Sequence, residues 1–585
     1  MSVTGKAFDF GLIGRVMRFT RPYRPTFYWS IVLTVVLAGI APLRPLMIQY
    51  MLDHYVKASE ARAMLNMSLL IAGLLLIQFV LQYLNTYFTN LLGQQIIKDL
   101  RVMLYKHLIH FRLRFFDTTP VGTLITRTIS DMETIADIFS EGLIVIIGDI
   151  LQLSVIISVM FYTDWQLTLI SLSTLPFLFI ATNIFKNGIK STFNEVRTQV
   201  AHLNTFVQEH ITGMSVVQIF NREEEEYRRF VEINAKHRDA NINSNWYYSV
   251  FFPVVEILSA VSIGLMVWWT ARNSLYGHVS VGNMVAFIMF ISMLFRPIRE
   301  LADKFNTLQM GMVSSERVFK ILDTEEAMPD QGAVSVKALK GDIEFKNVWF
   351  AYAAEHYVLK NISFVLEHGQ TVALVGATGA GKSSIVNLIS RFYPINKGKI
   401  YIDGIAVEDY KLTELRSKIA VVLQDVFLFS GTVRDNITLY NPSITEQQIM
   451  EASKAVGAYE FIMRLPGGFD YKVQERGATL SVGQRQLISF IRAYVYNPDI
   501  LVLDEATSSI DSESERMIQR ATEQLTRGRT SILIAHRLAT IQRADKIIVL
   551  DKGIIVEQGT HAELVKQEGF YKKLYEIQFQ EDMLS

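Results

Sequence analysis

Six long apolar stretches, all before residue 315, set the first constraint on this 585-residue chain. They run roughly 27–50, 66–90, 140–162, 165–186, 248–271 and 281–297. A helix needs about 20 mostly apolar residues to cross the hydrocarbon layer. Inside that layer every backbone N–H and C=O must be bonded within its own segment, so each stretch predicts a membrane-spanning helix. The sixth is short as a strictly apolar run, and its helix is expected to continue past 297.

Charge placement orients these helices. The interval 94–138 carries Lys98, Arg101, Lys106, Arg112, Arg114 and Arg127, and the interval 187–246 carries Lys190, Arg197, Arg222, Arg228, Arg229, Lys236 and Arg238. The opposite loops hold only Lys57, Arg62 and Arg272. The excess of cations near helix ends predicts that both termini and both long intervals are cytoplasmic. The two intervals are helical in pattern and poor in glycine and proline, so the spans are expected to continue as long cytoplasmic helices, turning near Asp117–Gly122 and Thr212–Met214. The first residues do not read as a cleavable signal, because Lys6, Asp9 and Arg15 interrupt the apolar run. They predict an amphipathic helix at the membrane surface, with Phe10, Ile13, Val16 and Phe19 on one face and Arg15, Arg18, Arg21 and Arg24 supplying charge.

Whole-chain numbers exclude several classes. Lys and Arg total 57, as do Asp and Glu, so no net charge draws the chain to nucleic acid. There is no cysteine, which excludes disulfides, thiolate metal sites and cysteine nucleophiles. The length exceeds the roughly 250–300 residues at which a single core stops growing.

Beyond residue 341 the periodicity changes. Short apolar strands alternate with helical runs: IEFKNVWFAY, TVALVG, IAVVLQ, ILVLDEA, TSILIAH and KIIVLDKG. Such alternation predicts an α/β domain with a mainly parallel sheet. The expected organisation is an amphipathic segment over 1–25, a six-helix transmembrane domain over 26–323, a linker over 324–341 and an α/β domain over 342–585.

The strongest chemical signal lies in that second half. Gly376, Ala377, Thr378, Gly379, Ala380, Gly381, Lys382 and Ser383 match G-x-x-x-x-G-K-[ST], after the strand TVALV and before the helical run that begins at Ser384. Glycines let backbone N–H groups turn around phosphate oxygens, and the helix adds its positive end. Lys382 is placed to neutralise the terminal phosphates, and the Ser383 hydroxyl to ligate Mg²⁺. Asp504 and Glu505 end a second buried strand, at the edge where open α/β sheets bind ligands. Asp504 would hold Mg²⁺ through water, and Glu505 would polarise an attacking water.

At these residues the chain resembles the ATP-binding cassette proteins. Gln424 matches the Q-loop, Leu480–Gln484 (LSVGQ) the signature, Ser508–Asp511 the D-loop and His536 the switch histidine. Tyr352 matches the aromatic that stacks on adenine, and Glu475–Gly477 the short segment that exporters carry ahead of the signature. Six spans ahead of one such domain resemble an exporter half-transporter, the layout of bacterial multidrug and lipid exporters. The resemblance implies a P-loop NTPase fold with ATP and Mg²⁺ as ligands. It also implies a dimer with a second half-transporter, either the same chain or a related one. Each ATP would lie between the phosphate loop of one chain and Ser481 and Gly483 of the other, and the resemblance adds Gln484 and Asp511 to the nucleotide-binding residues. Glu505 would be the general base, His536 would contact the γ-phosphate, and Gln424 would sense that phosphate and Mg²⁺ where the membrane half docks. The implied activity is ATP-driven export of amphipathic small molecules or lipids from a bacterial inner membrane. An importer or an ATP-gated channel on the same layout stays open. Val482 stands where the commonest signature has glycine, while the serine and second glycine are kept; activity is expected to survive.

Weaker signals lie in the spans. Asp149 and Glu256 are ionisable residues within predicted spans, read either as lining a path for cations or as bonded to a neighbouring helix. Gln78, Gln82 and Asn85 share one face of the second span and predict interhelical hydrogen bonds. Met284, Phe287, Met289 and Phe290 read as lipid-facing packing, with an adaptable binding wall as the alternative. Glu223–Glu226 reads as a solvated helix face, and the 11 histidines show no ligand spacing.

Overall fold

The computed structural model describes residues 10–274, 280–328, 330, 332–353, 356–504, 512–535 and 538–579. The chain forms two compact units: residues 1–109 with 121–325, and residues 110–120 with 326–585.

Among the described residues of the first unit, six helical segments are long and apolar enough to cross a membrane: Arg21–Val56, Ala61–Leu108, Val121–Thr163, Trp165–Thr212, Glu223–Arg272 and Val281–Ile298. They contain all six predicted stretches. Ala61–Leu108 is one unbroken helix of 48 residues, about 70 Å at 1.5 Å per residue. That is more than twice a hydrocarbon layer of about 30 Å. Glu223–Ser274 and Val281–Leu322 run 52 and 42 residues, so the last helix does continue well past the apolar run. The helix through the fourth span stops at Thr212, with Gly213 at its C-cap, and a short helix restarts at Met214. The connection between the second and third spans turns at Thr119 and Pro120, after the short helix Leu113–Thr118.

The core of this unit is aromatic and aliphatic. Phe287 and Phe290 are fully buried and meet edge to face at 6.0 Å. They pack with Met160, Phe185, Phe251, Val255 and Met266. This corrects the lipid-facing expectation for that stripe: its two phenylalanines point inward. The amphipathic helix Phe10–Arg18 also turns its apolar side to protein. Val16 is buried and Phe19 stacks on Phe319 at 6.2 Å. Arg15 lies over the Phe319 ring at 4.2 Å and donates to Asp323 at 2.6 and 2.5 Å.

The described residues of the second unit form twelve strands: β1 (Ile343–Phe350), β2 (Leu359–Leu366), β3 (Thr371–Val375), β4 (Lys397–Ile402), β5 (Ile405–Ala406), β6 (Ile419–Val422), β7 (Gly431–Thr432), β8 (Lys472–Val473), β9 (Ile500–Asp504), β10 (Thr530–Ile534), β11 (Lys546–Asp551) and β12 (Ile554–Gly559). The central sheet runs β12-β11-β3-β10-β9-β6 and is parallel except for β12. An antiparallel sheet, β2-β1-β4-β5, lies in the same unit. The alternation of side chains along β9 feeds two cores. Ile500 and Val502 join the cluster that holds the helix Lys382–Ile389. Leu501 and Leu503 join the cluster of the helix Val482–Val495. A strand covered on both faces reads as an unbroken apolar run, as ILVL does.

The segment His110–Pro120, which the sequence places in the transmembrane domain, packs with this unit. Phe111 bridges to Ala327. Arg112 donates its backbone N–H to the Glu326 carbonyl at 2.8 Å and pairs with the Glu326 carboxylate.

Close helix packing in the first unit depends on Gly311. A Cβ there would lie 2.2 Å from Ile138 Cγ1 and 3.0 Å from the Thr134 carbonyl. Nothing lies within 4 Å of a Cβ added at Gly73. Gly311→Ala is therefore expected to lower the thermal midpoint of the purified protein by several degrees, through overpacking worth about 1–3 kcal/mol. Gly73→Ala is expected to leave the midpoint unchanged or slightly raised, and a thermal melt of both variants distinguishes them.

Candidate nucleotide site

β3 is a buried strand, and the loop Gly376–Gly381 leaves its C-terminal end. Two glycines are required there. A Cβ on Gly376 would sit 2.2 Å from the Leu550 carbonyl. Gly381 has φ +105, and its Cβ would meet the Leu359 side chain at 2.6 Å. Left-handed backbone and close approach together exclude other residues. The helix Lys382–Ile389 follows at once, so its N-terminal, positive end faces the loop.

Lys382 is buried and folds back on the loop, its ammonium donating to the carbonyls of Gly376 at 2.6 Å and Ala377 at 3.2 Å. Burial pulls its pKa down, and the Asp504 carboxylate opposes that shift. Asp504 ends β9. Burial raises its pKa, Lys382 lowers it and Asp425 raises it again. The lysine and the acid thus sense each other across the site. Their strands both pair in parallel with β10, which lies between them.

Tyr352 stands beside the start of the same helix. Its hydroxyl shares a hydrogen bond with Ser384 Oγ at 3.1 Å and accepts from Asn387 Nδ2 at 3.0 Å. Phe350 and Tyr393 meet its ring edge to face at 4.7 and 4.9 Å. Tyr352 is 36% exposed, which leaves area for a planar ligand. Gln424 is exposed just beyond β6.

Ser481, Gly483 and Gln484 stand on another element. Ser481 caps the helix Val482–Val495 in a reciprocal box with Gln484, at 3.2 and 3.0 Å. Ser481 and Val482 are exposed and Gly483 is buried. Among the described residues no hydrogen bond joins these three to the phosphate loop. Glu505, Asp511 and His536 lie outside the described residues. Asp425 and Tyr393 complete the surroundings and were not singled out from sequence. Asp425 directly follows Gln424, which is the one signal that would have found it.

The comparisons with known proteins agree with this arrangement. Residues 27–298 match the model of the ABC transporter transmembrane region, and residues 359–508 match that of the ABC transporter family. The ABC transporter ATP-binding protein YknV of Bacillus subtilis is 37% identical over 98% of this chain and 96% of its own length. The chain belongs to the ABC transporters. The multidrug export ATP-binding/permease protein YgaD of Bacillus subtilis is 36% identical over 97% of this chain and 99% of its own. The ATP-dependent lipid A-core flippase of Syntrophus aciditrophicus is 35% identical over 97% and 94%.

The membrane unit of this ABC transporter holds a further polar feature. Asp149 pairs with Lys304 at 2.6 Å, each side chain less than one-fifth exposed. Of the two readings for Asp149, the bond to a neighbouring helix is the one observed. Glu256 lies at an exposed position of its helix. On the second span, Asn85 accepts from Thr34 Oγ1 at 3.2 Å, the interhelical bond expected of that face. Glu225 and Glu226 pair with Arg228 and Arg229 one turn on.

Breaking a buried ion pair leaves one charge stranded, at about 3–5 kcal/mol, whereas removing both is nearly neutral. Asp149→Asn is expected to lower the thermal midpoint markedly. The double variant Asp149→Asn/Lys304→Met should recover most of the loss in the same melt.

Proposed function

We propose that this ABC transporter couples ATP hydrolysis to export of amphipathic small molecules or lipids by alternating access, as a dimer of half-transporters in a bacterial inner membrane. The observation that carries this reading is the joining, in one unit, of a buried phosphate-loop lysine with a half-buried carboxylate on the next strand but one, Lys382 and Asp504. The names of the multidrug and lipid A-core relatives support the substrate class.

In this reading Lys382 leaves the Gly376 and Ala377 carbonyls for the terminal phosphates of ATP. The backbone N–H groups of Gly379–Ser384 cradle the remaining phosphate oxygens, and the Tyr352 ring stacks on adenine. Ser383, Asp504 and Gln424 are the candidate Mg²⁺ ligands. Among the described residues no three His, Asp or Glu side chains cluster as a metal cage. That fits Mg²⁺, which takes one or two protein oxygens plus phosphates and water. When bound, the ion neutralises phosphate charge. Glu505 orients and deprotonates the attacking water, and His536 donates to the γ-phosphate. Ser481, Gly483 and Gln484 complete the site of a second copy or a related chain, because the exposed cap at Ser481 presents a helix N-terminus to phosphate.

ATP hydrolysis by the chain alone, purified in lipid, tests the reading beside Glu505→Gln. Turnover that drops by about two orders of magnitude or more in the variant is expected, since a positioned base contributes about 10²–10⁴-fold. Equal turnover in both would sink the assignment. Asp504 must be ionised to hold Mg²⁺, and burial raises its pKa. MgATP affinity is therefore expected to fall on acidification while the pH is still above the ordinary aspartate range near 4. That dependence should disappear in Asp504→Asn, as measured by binding titrations at a series of pH values.

A further inference from the structure

The turn that follows the phosphate-loop helix carries a tyrosine to which the site as read above gives no role. Tyr393 is 5% exposed. Its ring packs edge to face on Tyr352 at 4.9 Å and on Phe350 at 5.7 Å. Its hydroxyl donates to the carboxylate of Asp117. Asp117 stands on the short helix Leu113–Thr118, in the connection between the second and third spans, which packs with the ATP-binding unit. Burial and the Asp117 carboxylate both push the Tyr393 pKa upward, so the phenol stays protonated and remains a donor. On its other side Tyr352 is held by Ser384 and Asn387. Tyr352 therefore has one anchor on the phosphate-loop helix and one aromatic neighbour whose far end is pinned to Asp117.

We propose that Tyr393 is a positioning residue: through its bond to Asp117 it fixes the Tyr352 ring on which adenine stacks, so that the connection between the second and third spans sets the affinity for the base. The proposal rests on the reading of Tyr352 as the adenine platform. Among the described residues no hydrogen bond joins Tyr393 to the phosphate loop, so its effect is expected on the base rather than on the phosphates. The relay also works in reverse. A base stacked on Tyr352 restrains Tyr393 and thereby the Asp117 turn, because coupling between two sites is reciprocal.

The test compares binding of MgATP with that of magnesium tripolyphosphate, which offers phosphates without a base, to the full chain in lipid. Tyr393→Phe and Asp117→Ala are each expected to weaken MgATP binding about three- to tenfold, the range for losing one hydrogen bond. Tripolyphosphate binding should not change. The double variant should bind MgATP no more weakly than either single variant, because both remove the same bond. Asp117→Asn keeps an acceptor oxygen and should restore most of the affinity. Tyr393→Phe keeps the buried ring and serves alone if Asp117→Ala does not fold. Losses that multiply in the double variant, or that fall equally on tripolyphosphate, overturn the proposal in favour of a general packing role. Tyr352→Ala separates the two levels. If it leaves the preference for MgATP over tripolyphosphate intact, the adenine platform is wrong. If it abolishes that preference while Tyr393→Phe does not alter it, only the relay is wrong.

Discussion

The ATP-binding unit depends on one shared strand. β10 pairs in parallel with β3 on one side and with β9 on the other. Parallel pairing brings the C-terminal ends of all three to the same edge, and that edge carries the phosphate loop and Asp504. Ile532 and Ile534 face the core that seats the phosphate-loop helix, while Leu533 faces the core of the signature helix. A slip of one residue would exchange those faces, and it would also move the lysine loop relative to the acid. Two-sided burial fixes the register, and the register fixes the electrostatics: Lys382 and Asp504 shift each other because they are held in reach, the lysine buried and the acid partly so.

The membrane unit solves a different problem with the same economy. Long helices satisfy their own backbone, so specificity falls to side chains between them. Close approach at Gly311, the Asp149–Lys304 pair and the burial of Phe287 and Phe290 against Met160, Phe185 and Phe251 each join the last long helix to its neighbours. The lower end of that helix is also held, by Arg15 through Asp323 and the Phe319 ring. One helix thus collects the packing, the ion pair and the anchor of the amphipathic segment.

Much of this was legible in the residues. The six spans follow from apolar length, and the two turns between long helices from Pro120 and Gly213. The phosphate loop and its flanking elements follow from Gly376–Ser383, whose spacing admits few other geometries. What was not legible depends on partners distant in sequence. Asp149 on its own gives no sign of Lys304, 155 residues away. The stripe Met284–Phe290 repeats at helical spacing, but apolar lipid and an apolar core attract it equally, so its inward direction needed the neighbouring helices. Likewise nothing in RFYP or in FFDT marks Tyr393 and Asp117 as partners across 276 positions. Nor does helical pattern reveal that His110–Pro120 packs with the ATP-binding unit rather than with its own spans.

The central claim is that one chain's phosphate loop meets another chain's signature only when ATP is between them. The absence of cysteine allows a direct measurement. Thr378→Cys and Val482→Cys would be placed together in a Glu505→Gln background, and disulfide formation followed in lipid with and without MgATP. The account predicts a covalently linked dimer whose formation is strongly accelerated by MgATP. A cross-link that stays within one chain, or an intermolecular one that forms equally fast without nucleotide, would contradict it.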